Sequence, residues 1–286
     1  MKQLLLGAHM SIAGGVSQAF ARGQSVGCVA IQIFTKNSNQ WFAKPLDPDE
    51  IARFREQQAA TGIAPVIAHD SYLINLGTPD ETLWRKSVDA FTEELERCEQ
   101  LGIPALVTHP GSHMGSGEEA GLARIAQALN EAHARTSGYK VISVLEITAG
   151  QGDHLGYRFA HLARIRDMVK EPERIGVCFD TCHALAAGYE FRTPETYQAM
   201  WEEFDRVLGL GSLRCFHFND SKKDLGSRVD RHEHIGKGFV GLDAFRFILN
   251  DPLFRHLPML LETPKSEDMH EDVENLRVLR SLIAPD

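Results

Sequence analysis

The feature that most limits the fold of this chain is its regular alternation of strand-like and helix-favouring segments. Eight short apolar runs predict strands at residues 4–9, 29–34, 64–69, 105–109, 141–147, 175–180, 213–218 and 258–262. Helix-favouring segments lie between and after them at residues 15–26, 48–61, 79–102, 118–136, 157–169, 194–209, 242–250 and 267–282. Because alternating strands and helices form parallel sheets, and eight such units favour closure, we predict an α/β fold, a (β/α)8 TIM barrel.

The alternative α/β architecture is a doubly wound open sheet. No Gly-x-Gly-x-x-Gly motif, which often accompanies that fold, follows an early strand here. A length of 286 residues with 43% hydrophobic residues suits one large core, and barrels of this class typically take about 250 residues. Since no change in composition marks a linker, residues 1–286 are predicted to form a single domain.

The cysteines indicate the compartment. Cys28, Cys98, Cys178, Cys182 and Cys215 are scattered, odd in number and without Cys-x-x-Cys spacing, which indicates reduced thiols and a cytoplasmic location rather than a disulfide framework. The first nine residues contain too short an apolar run for a signal peptide, and no apolar stretch could span a bilayer. We therefore expect no membrane partner.

Potential metal ligands recur at the predicted carboxyl ends of the strands, where the active sites of TIM barrels lie. Asp180 ends the sixth strand and His183 follows in the next turn, so both side chains can point into one volume. Other strand ends and the loops after them extend the set to His69, His109, Glu146, Asp180, His183, His217, Asp230, His232 and Glu262. Without cations the four carboxylates would repel one another, so the cluster predicts a metal centre.

The type of ligand suggests the metal. Imidazole and carboxylate groups suit Zn²⁺ or Mn²⁺ better than Ca²⁺ or Mg²⁺. A catalytic zinc ion takes about three protein ligands and keeps one position open, so nine ligands fit three metals. A thiolate ligand from Cys182 is a weaker alternative. The formal net charge of −9 does not exclude a nucleic-acid partner, because bound divalent cations would make the pocket positive.

Six segments carry a family resemblance: HDSYLINLG at 69–77, HPGS at 109–112, EITAGQG at 146–152, DTCH at 180–183, FNDSK at 218–222 and GSRVDRH at 226–232. They resemble the endonuclease IV family of zinc-dependent abasic-site endonucleases, in the right order from Gly7 to Glu262. The resemblance implies DNA repair: hydrolysis of the phosphodiester 5′ to an abasic site in double-stranded DNA, leaving a 3′-hydroxyl, and removal of blocked 3′ ends. It also implies a trinuclear zinc mechanism, for which the type of ligand allows Mn²⁺ as a substitute.

The resemblance also assigns the ligands. One zinc ion would be held by His69, His109 and Glu146; the second by Glu146, Asp180, His217 and Glu262, with Glu146 bridging; the third by His183, Asp230 and His232. The implied catalytic residues are Glu262, which also orients the nucleophile, together with Glu146, His109 and Asp230.

DNA contacts are implied in the loops. Tyr72, Leu73, Gln40 and Trp41 would wedge into the duplex while the abasic nucleotide is extruded, which costs least where a base is missing. Packing at the barrel rim is the alternative role of Tyr72 and Leu73. The candidate contacts with the DNA strand are Lys36, Asn39, Lys222, Lys223, Arg228 and Arg231, although single basic residues in loops are often only solvated.

The sequence departs from the family pattern at two positions. Asn39 stands where the family has an arginine that enters the DNA, and Ile147 follows the bridging glutamate where the family commonly has asparagine. His234 competes with His232 for the third metal, and the motif favours His232. His9 and His113 are candidates for supporting the ligands or contacting phosphate, equally compatible with ordinary polar loop positions.

Two other functions fit part of the pattern. Metal-dependent sugar isomerases use a barrel with histidine and carboxylate ligands, typically around two metals. A third ligand group and the Tyr72-Leu73 loop have no obvious task in such a reaction. A protein that binds damaged DNA without cutting it would not need a complete ligand set with room for water. We expect a monomer, since an enzyme of this kind and size needs no partner subunit.

Overall fold

The computed structural model describes residues 3–285 and contains a closed barrel of eight parallel strands. The strands are β1 (Leu6–His9), β2 (Ala30–Phe34), β3 (Val66–His69), β4 (Ala105–Thr108), β5 (Ile142–Glu146), β6 (Ile175–Asp180), β7 (Leu213–His217) and β8 (Met259–Leu261). Each strand pairs with its neighbours in the sequence, and β1 pairs with β8, with Leu6 opposite Met259, which closes the sheet. The predicted (β/α)8 TIM barrel is confirmed.

Nine α-helices occur within residues 3–285. They are α1 (Gln18–Ser25), α2 (Pro48–Thr61), α3 (Glu81–Leu101), α4 (Glu118–Arg135), α5 (Phe159–Met168), α6 (Thr181–Ala187), α7 (Pro194–Leu208), α8 (Gly241–Asn250) and α9 (His270–Ser281). The sequence pattern predicts eight helices, and α6 is the addition. It begins directly after β6 because the Asp180 carboxylate caps it, accepting a hydrogen bond from His183 N at 2.7 Å.

Several strands end slightly earlier than predicted. Strand β4 ends at Thr108, before His109 and Pro110, because proline has no N–H to continue the ladder. Strand β8 ends at Leu261, since Glu262 N donates a hydrogen bond to Asn219 Oδ1 at 2.8 Å. The candidate ligands His109 and Glu262 therefore lie just past the strands, at the mouth of the barrel.

Small and medium-sized side chains form an apolar cluster with residues from most of the strands: Ala30, Ile67, Ala105, Val107, Val144, Cys178, Cys215 and Leu260. Successive side chains of a strand point to opposite faces, so the residue two positions later shares the same face. His69 thus follows Ile67, Glu146 follows Val144 and His217 follows Cys215. The cluster is the dry floor beneath the candidate site, whereas a larger apolar cluster packs the strands against the helices.

Two short antiparallel hairpins lie after the strands. Gly111–Ser112 pairs with His154–Leu155, and Asp220–Ser221 pairs with His232–Glu233. The carboxylate of Asp220 holds the second hairpin to the following loop, accepting hydrogen bonds from Gly236 N, Gly238 N and Val240 N at 2.8–3.1 Å. A Cβ atom at Gly238 would lie 2.3 Å from Ser221 O, so only glycine fits there.

All five cysteines are free and buried. The alternating apolar and polar character of the helices matches their packing on the barrel. Within residues 3–285, no helix combines the length and apolar character needed to cross a membrane.

Candidate metal centre

Glu146 lies at the centre of the candidate site. It ends β5 and is fully buried. Its Oε2 lies 3.2 Å from His69 Nε2 and 3.4 Å from His109 Nε2. Its Oε1 lies 3.0 Å from His217 Nδ1 and 3.0 Å from His183 Nδ1. Each carboxylate oxygen therefore faces a different pair of histidines, which is the arrangement of a bridging carboxylate.

The first group consists of His69, His109 and Glu146, whose ligand atoms lie within 4.8 Å of one another. His69 Nδ1 donates a hydrogen bond to Asp70 O at 2.9 Å, which directs Nε2 towards Glu146. His69 is buried, whereas the His109 side chain is 26% exposed. The group thus has a solvent-facing side by which a water or a substrate oxygen can enter.

The second group consists of Glu146, Asp180, His217 and Glu262. His217 Nδ1 lies 3.2 Å from Glu262 Oε2 and 3.9 Å from Asp180 Oδ2. Although Glu146 Oε1 and His217 Nδ1 are buried and 3.0 Å apart, neither atom makes a hydrogen bond of good geometry. Unpaired buried polar atoms are costly, so a cation held between these atoms accounts for their arrangement.

The third group consists of His183, Asp230 and His232. Asp230 Oδ1 lies 3.2 Å from His183 Nε2 and 3.5 Å from His232 Nε2. His183 comes from the first turn of α6, whereas Asp230 and His232 come from the hairpin loop after β7. Asp180 Oδ2 lies 3.7 Å from His232 Nε2, so this group adjoins the second one.

Burial and mutual charge control protonation in the metal-free site. Burial opposes ionisation of Glu146, but the imidazoles of His217 and His109 outweigh it and lower its pKa. Burial opposes the charged form of His69, yet Glu146 raises its pKa to about 9. Burial also opposes the charged form of His217, but Glu146 and Glu262 raise its pKa to about 10. In the absence of metal, His69 and His217 therefore carry protons at the positions where metal ions would bind.

The donor set fits metal ions such as zinc. The ion pairs of the four carboxylates are made with imidazoles, and these groups are the ligands that catalytic zinc uses. Cys182 could join Asp180 and His232 in an alternative group. Burial, however, raises the pKa of the Cys182 thiol to about 12, and its Sγ donates to Arg231 O at 3.7 Å. A neutral thiol is a poor ligand.

Two buried amides support the ligands, and both escaped the sequence-based prediction. Asn219 Nδ2 donates to Asp180 Oδ2 at 2.7 Å, and its Oδ1 accepts from Glu262 N. Gln32 contacts His217 and Glu262 from β2. The sequence feature that could have revealed them is a polar residue in or next to an apolar run: Gln32 lies in AIQIF, and Asn219 follows LRCFHF.

The remaining polar candidates support the structure around the ligands. His9 Nδ1 lies 3.0 Å from Gln32 Nε2, and His9 stays 3.9 Å from Glu262. His113 Nδ1 accepts from Gly115 N and Gly117 N before α4. His234 pairs with Asn275, and it is absent from the third group. The carbonyl of Ile147 accepts from His183 Nδ1 at 3.0 Å, so a main-chain group orients this ligand.

Tyr72 and Leu73 lie beside the first group. The Tyr72 side chain is 64% exposed, although its ring centroid is 5.7 Å from that of His69 and 5.5 Å from that of Phe34. Leu73 is half-buried. A cleft of about 590 Å³ separates Tyr72 from Glu262 and Lys265, which also line it. An exposed aromatic ring next to an open cleft can contact a large substrate.

The loop after β2 holds the other predicted wedge residues. Asn39 and Gln40 are exposed, and Trp41 is half-buried with the Lys86 ammonium 4.4 Å from its ring centroid. Lys36 differs from the prediction of a phosphate contact. Its side chain is 1% exposed and its ammonium pairs with Glu94 Oε1 at 2.5 Å, so the structure gives Lys36 a role in the core.

The basic residues after β7 face solvent. Lys222, Lys223, Arg228 and Arg231 are exposed. The Arg228 guanidinium carbon lies 4.0 Å from the Tyr157 ring centroid, which restricts its side chain. Arg231 directs its guanidinium back to Asp230 O at 2.5 Å. All four side chains remain exposed to solvent.

Comparison with known proteins shows the family. A family model described as a xylose isomerase-like TIM barrel matches residues 20–282. A relative from Chloroflexus aggregans, "probable endonuclease 4", is 60% identical over 97% of both chains. The crystal structure of endonuclease IV from Thermus thermophilus superposes with a TM-score of 0.85 at 38% identity, covering 97% of this chain and 98% of that one. A D-tagatose 3-epimerase-like protein, with a TM-score of 0.74 and 17% identity over 98% and 97% of the two chains, shares the fold alone. The chain therefore belongs to the endonuclease IV family, and it is a nuclease.

Proposed function

We propose that this enzyme repairs DNA by hydrolysing the phosphodiester on the 5′ side of an abasic site, leaving a 3′-hydroxyl, and that it also removes blocked 3′ ends. The observation that carries the proposal is the position of the Glu146 carboxylate. One oxygen faces His69 of the first ligand group and the other faces His217 of the second, and the third group lies beside them. Family membership supports the same activity. Double-stranded DNA with abasic sites or blocked 3′ ends is the proposed partner.

Nine residues would hold three zinc ions, with Mn²⁺ as a substitute. The first ion would be bound by His69, His109 and Glu146. The second would be bound by Glu146, Asp180, His217 and Glu262, and the third by His183, Asp230 and His232. Zinc at such sites supplies Lewis-acid charge that lowers the pKa of a water and offsets negative charge on a phosphate. Four carboxylates and five imidazoles provide the negative charge and the lone pairs needed to bind three such ions.

Glu262 is the proposed orienting group for the attacking water. It lies at the boundary between the buried ligands and the cleft, with its side chain 14% exposed. Its Oε2 faces His217 and its Oε1 faces Gln32, so its carboxylate plane is held from two sides. The other proposed catalytic residues, Glu146, His109 and Asp230, bind and position the reacting groups. A fixed carboxylate lowers the entropy cost of bringing water and phosphate together.

The exposed loops are proposed to hold the damaged duplex open. Tyr72, Leu73, Gln40 and Trp41 would occupy the gap left by the abasic nucleotide. Asn39, Arg228 and Arg231 would contact the DNA strand, whereas Lys36 would not, because its side chain is buried against Glu94. The enzyme is proposed to act as a monomer, in the cytoplasm, where its five free cysteines stay reduced.

The alternative is a metal-dependent sugar isomerase. The barrel fold is shared with sugar epimerases, but at identities of 17% and 14% the likeness extends to the fold alone. The third ligand group and the exposed Tyr72 favour DNA, since a sugar isomerase has no evident need for either.

One experiment separates the two functions. Purified protein is incubated with a labelled duplex that contains a single synthetic abasic site, and the cut is mapped on a sequencing gel. We expect one incision immediately 5′ to the abasic site with a 3′-hydroxyl product, and none in the matched undamaged duplex. Prolonged treatment with a chelator should abolish the cut, and added Zn²⁺ should restore it. An uncut abasic duplex together with turnover of ketose sugars would reverse the assignment.

A further inference from the structure

Gln32 is a buried polar residue in an otherwise apolar strand. It lies in β2, AIQIF, with no exposed surface. It is two residues after Ala30, which belongs to the apolar floor, so its side chain points to the same face. A buried amide in a strand is costly unless its hydrogen bonds are satisfied, which makes its contacts informative.

Both polar atoms of the Gln32 side-chain amide have hydrogen-bond partners, one for the oxygen and two for the nitrogen. The amide oxygen lies 2.7 Å from His217 Nε2. The amide nitrogen lies 2.5 Å from Glu262 Oε1 and 3.0 Å from His9 Nδ1. An amide nitrogen has two hydrogens, so both donors and the acceptor are used.

The direction of each hydrogen bond follows from Glu262. An ionised carboxylate only accepts, so the side-chain nitrogen of Gln32 must face Glu262 and its oxygen must face His217. An amide oxygen also only accepts, so His217 Nε2 must carry a proton. The Nδ1 atom of a neutral His217 then carries the lone pair. This atom faces Glu146, Glu262 and Asp180 at 3.0, 3.2 and 3.9 Å.

Glu262 is oriented by the same amide. With Oε1 bonded to Gln32, its Oε2 is left for His217 Nδ1 and the second ligand group. The main-chain nitrogen of Glu262 is held by Asn219. One side chain on β2 thus sets the tautomer of one ligand and the carboxylate plane of another, across the closed barrel.

We propose that Gln32 is a positioning residue of the second metal group: it presents His217 Nδ1 and Glu262 Oε2 to one cation. The inference rests on the proposed metal-dependent function. Partners of this kind outside the ligands usually change metal affinity by about 10- to 100-fold when removed. Gln32 acts through His217 and Glu262 and is itself neither a ligand nor a proton donor to substrate.

Two variants separate its two contacts. Gln32→Met has a similar length and removes the hydrogen bonds to His217, Glu262 and His9. Gln32→Glu keeps an acceptor for His217 Nε2 but places a second carboxylate against Glu262 Oε1. The matched control is Ser143→Ala, which removes another buried hydrogen bond in the barrel, to His133 Nε2 at 2.9 Å, without contacting a ligand.

Metal retention is the first readout. The zinc-loaded proteins are titrated with a chelator, and bound metal is counted after desalting. For Gln32→Met we expect one ion per chain to be lost at a free-zinc concentration about 10- to 100-fold higher than in the parent. The other ions and the Ser143→Ala protein should behave as the parent does. Parental retention of all ions in folded Gln32→Met would overturn the proposal.

The tautomer of His217 is the second readout. In nitrogen-15 NMR spectra of the zinc-loaded parent, His217 should show a protonated Nε2 and a metal-bound Nδ1. The slowly exchanging Nε2 proton should vanish or exchange rapidly in Gln32→Met and remain in Gln32→Glu. Metal bound through Nε2 in the parent would refute the assignment even if no variant folds.

These readouts do not involve DNA. If the parent failed to cut abasic DNA while both readouts held, the proposed function would fail and the role of Gln32 would stand. If the parent cut abasic DNA while both readouts were negative, only the role of Gln32 would fail.

Discussion

His183 and His232 face each other with their Nε2 atoms 3.4 Å apart. The Nδ1 atom of His183 points to Ile147 O at 3.0 Å, and that of His232 points to Glu262 O at 3.3 Å. Because carbonyl oxygens only accept, both Nδ1 atoms carry hydrogens, and in neutral rings both Nε2 atoms carry lone pairs. Two lone pairs at this distance need a proton or a cation between them. Asp230, on the same side, adds the negative charge that favours a cation.

This relationship predicts the metal content. The purified protein should contain about three transition-metal ions per chain, mostly zinc. His183→Ala should reduce the content to about two, because the third group would keep only Asp230 and His232. Elemental analysis of desalted protein measures both values. One or two ions in the fully active parent, or an unchanged content in His183→Ala, would contradict the three-group assignment.

Glu262→Gln should nearly abolish cleavage. The substitution removes the negative charge next to His217 while keeping the size of the side chain. Loss of a group that acts in the transition state typically lowers the rate by about 10²–10⁴-fold. Binding to an abasic duplex should remain near the parental level, because the exposed loops carry it. Near-parental cleavage by a variant that retains its metal would show that Glu262 does not orient the nucleophile.

Tyr72→Ala tests whether this ring contacts DNA or packs at the rim. Since the side chain is 64% exposed, the free energy of unfolding should change by at most about 0.5 kcal/mol. Loss of an aromatic contact with the bases should weaken binding to an abasic duplex by about 1–3 kcal/mol. Denaturant unfolding and fluorescence anisotropy measure the two effects. The opposite pattern, lower stability with unchanged affinity, would assign Tyr72 to rim packing.

Lys36→Met tests the role of the buried ammonium. The substitution leaves Glu94 buried with hydrogen bonding from Thr35 but without its cation. Removal of one partner of a buried ion pair typically destabilises a protein by about 3–5 kcal/mol. The salt dependence of DNA binding should stay unchanged, because Lys36 contacts no phosphate. Arg231→Met serves as a control for an exposed charge, and its salt dependence should become shallower by about one contact. A shallower salt dependence for Lys36→Met itself would restore the original phosphate-contact prediction.

Metal and protons should compete for the site. The pKa of His69 is raised to about 9 and that of His217 to about 10 in the metal-free protein. Near pH 8 both imidazoles are largely protonated, and the carboxylates of Asp180 and Asp230 also raise the pKa of His183, so zinc binding should release at least two protons. Calorimetric titrations in two buffers of different ionisation enthalpy measure this number. The number of protons released should fall as the pH rises through 9 to 10. An equal heat of zinc binding in the two buffers would contradict the prediction.

The same pKa values affect folding. Both are higher in the folded protein than the usual value of about 6.5 for histidine. The stabilisation from these charged imidazoles is therefore complete below about pH 6.5 and is lost as the pH rises through 9 to 10. Denaturant unfolding of the metal-free protein should show this decline, and the zinc-loaded protein should show it less.

The sequence by itself determined the barrel and placed candidate ligands at the ends of its strands. Strands of three to six residues alternate with helices, and His69, Glu146, Asp180 and His217 end four strands. A residue that ends a parallel strand on the same face as an interior apolar residue must point into the mouth, whatever the details of packing. Local periodicity carries this information, so no tertiary contact is needed to predict it.

Only the tertiary structure decided how these side chains are held. Gln32 meets Glu262, 230 positions away, because β1 pairs with β8 and closes the barrel. Lys36 is buried because Glu94, 58 positions later on α3, reaches it. Such contacts depend on the distance between side chains brought together by closure, and sequence periodicity contains no such distance. The outcome of that closure also determines that the two oxygens of Glu146 face different ligand groups.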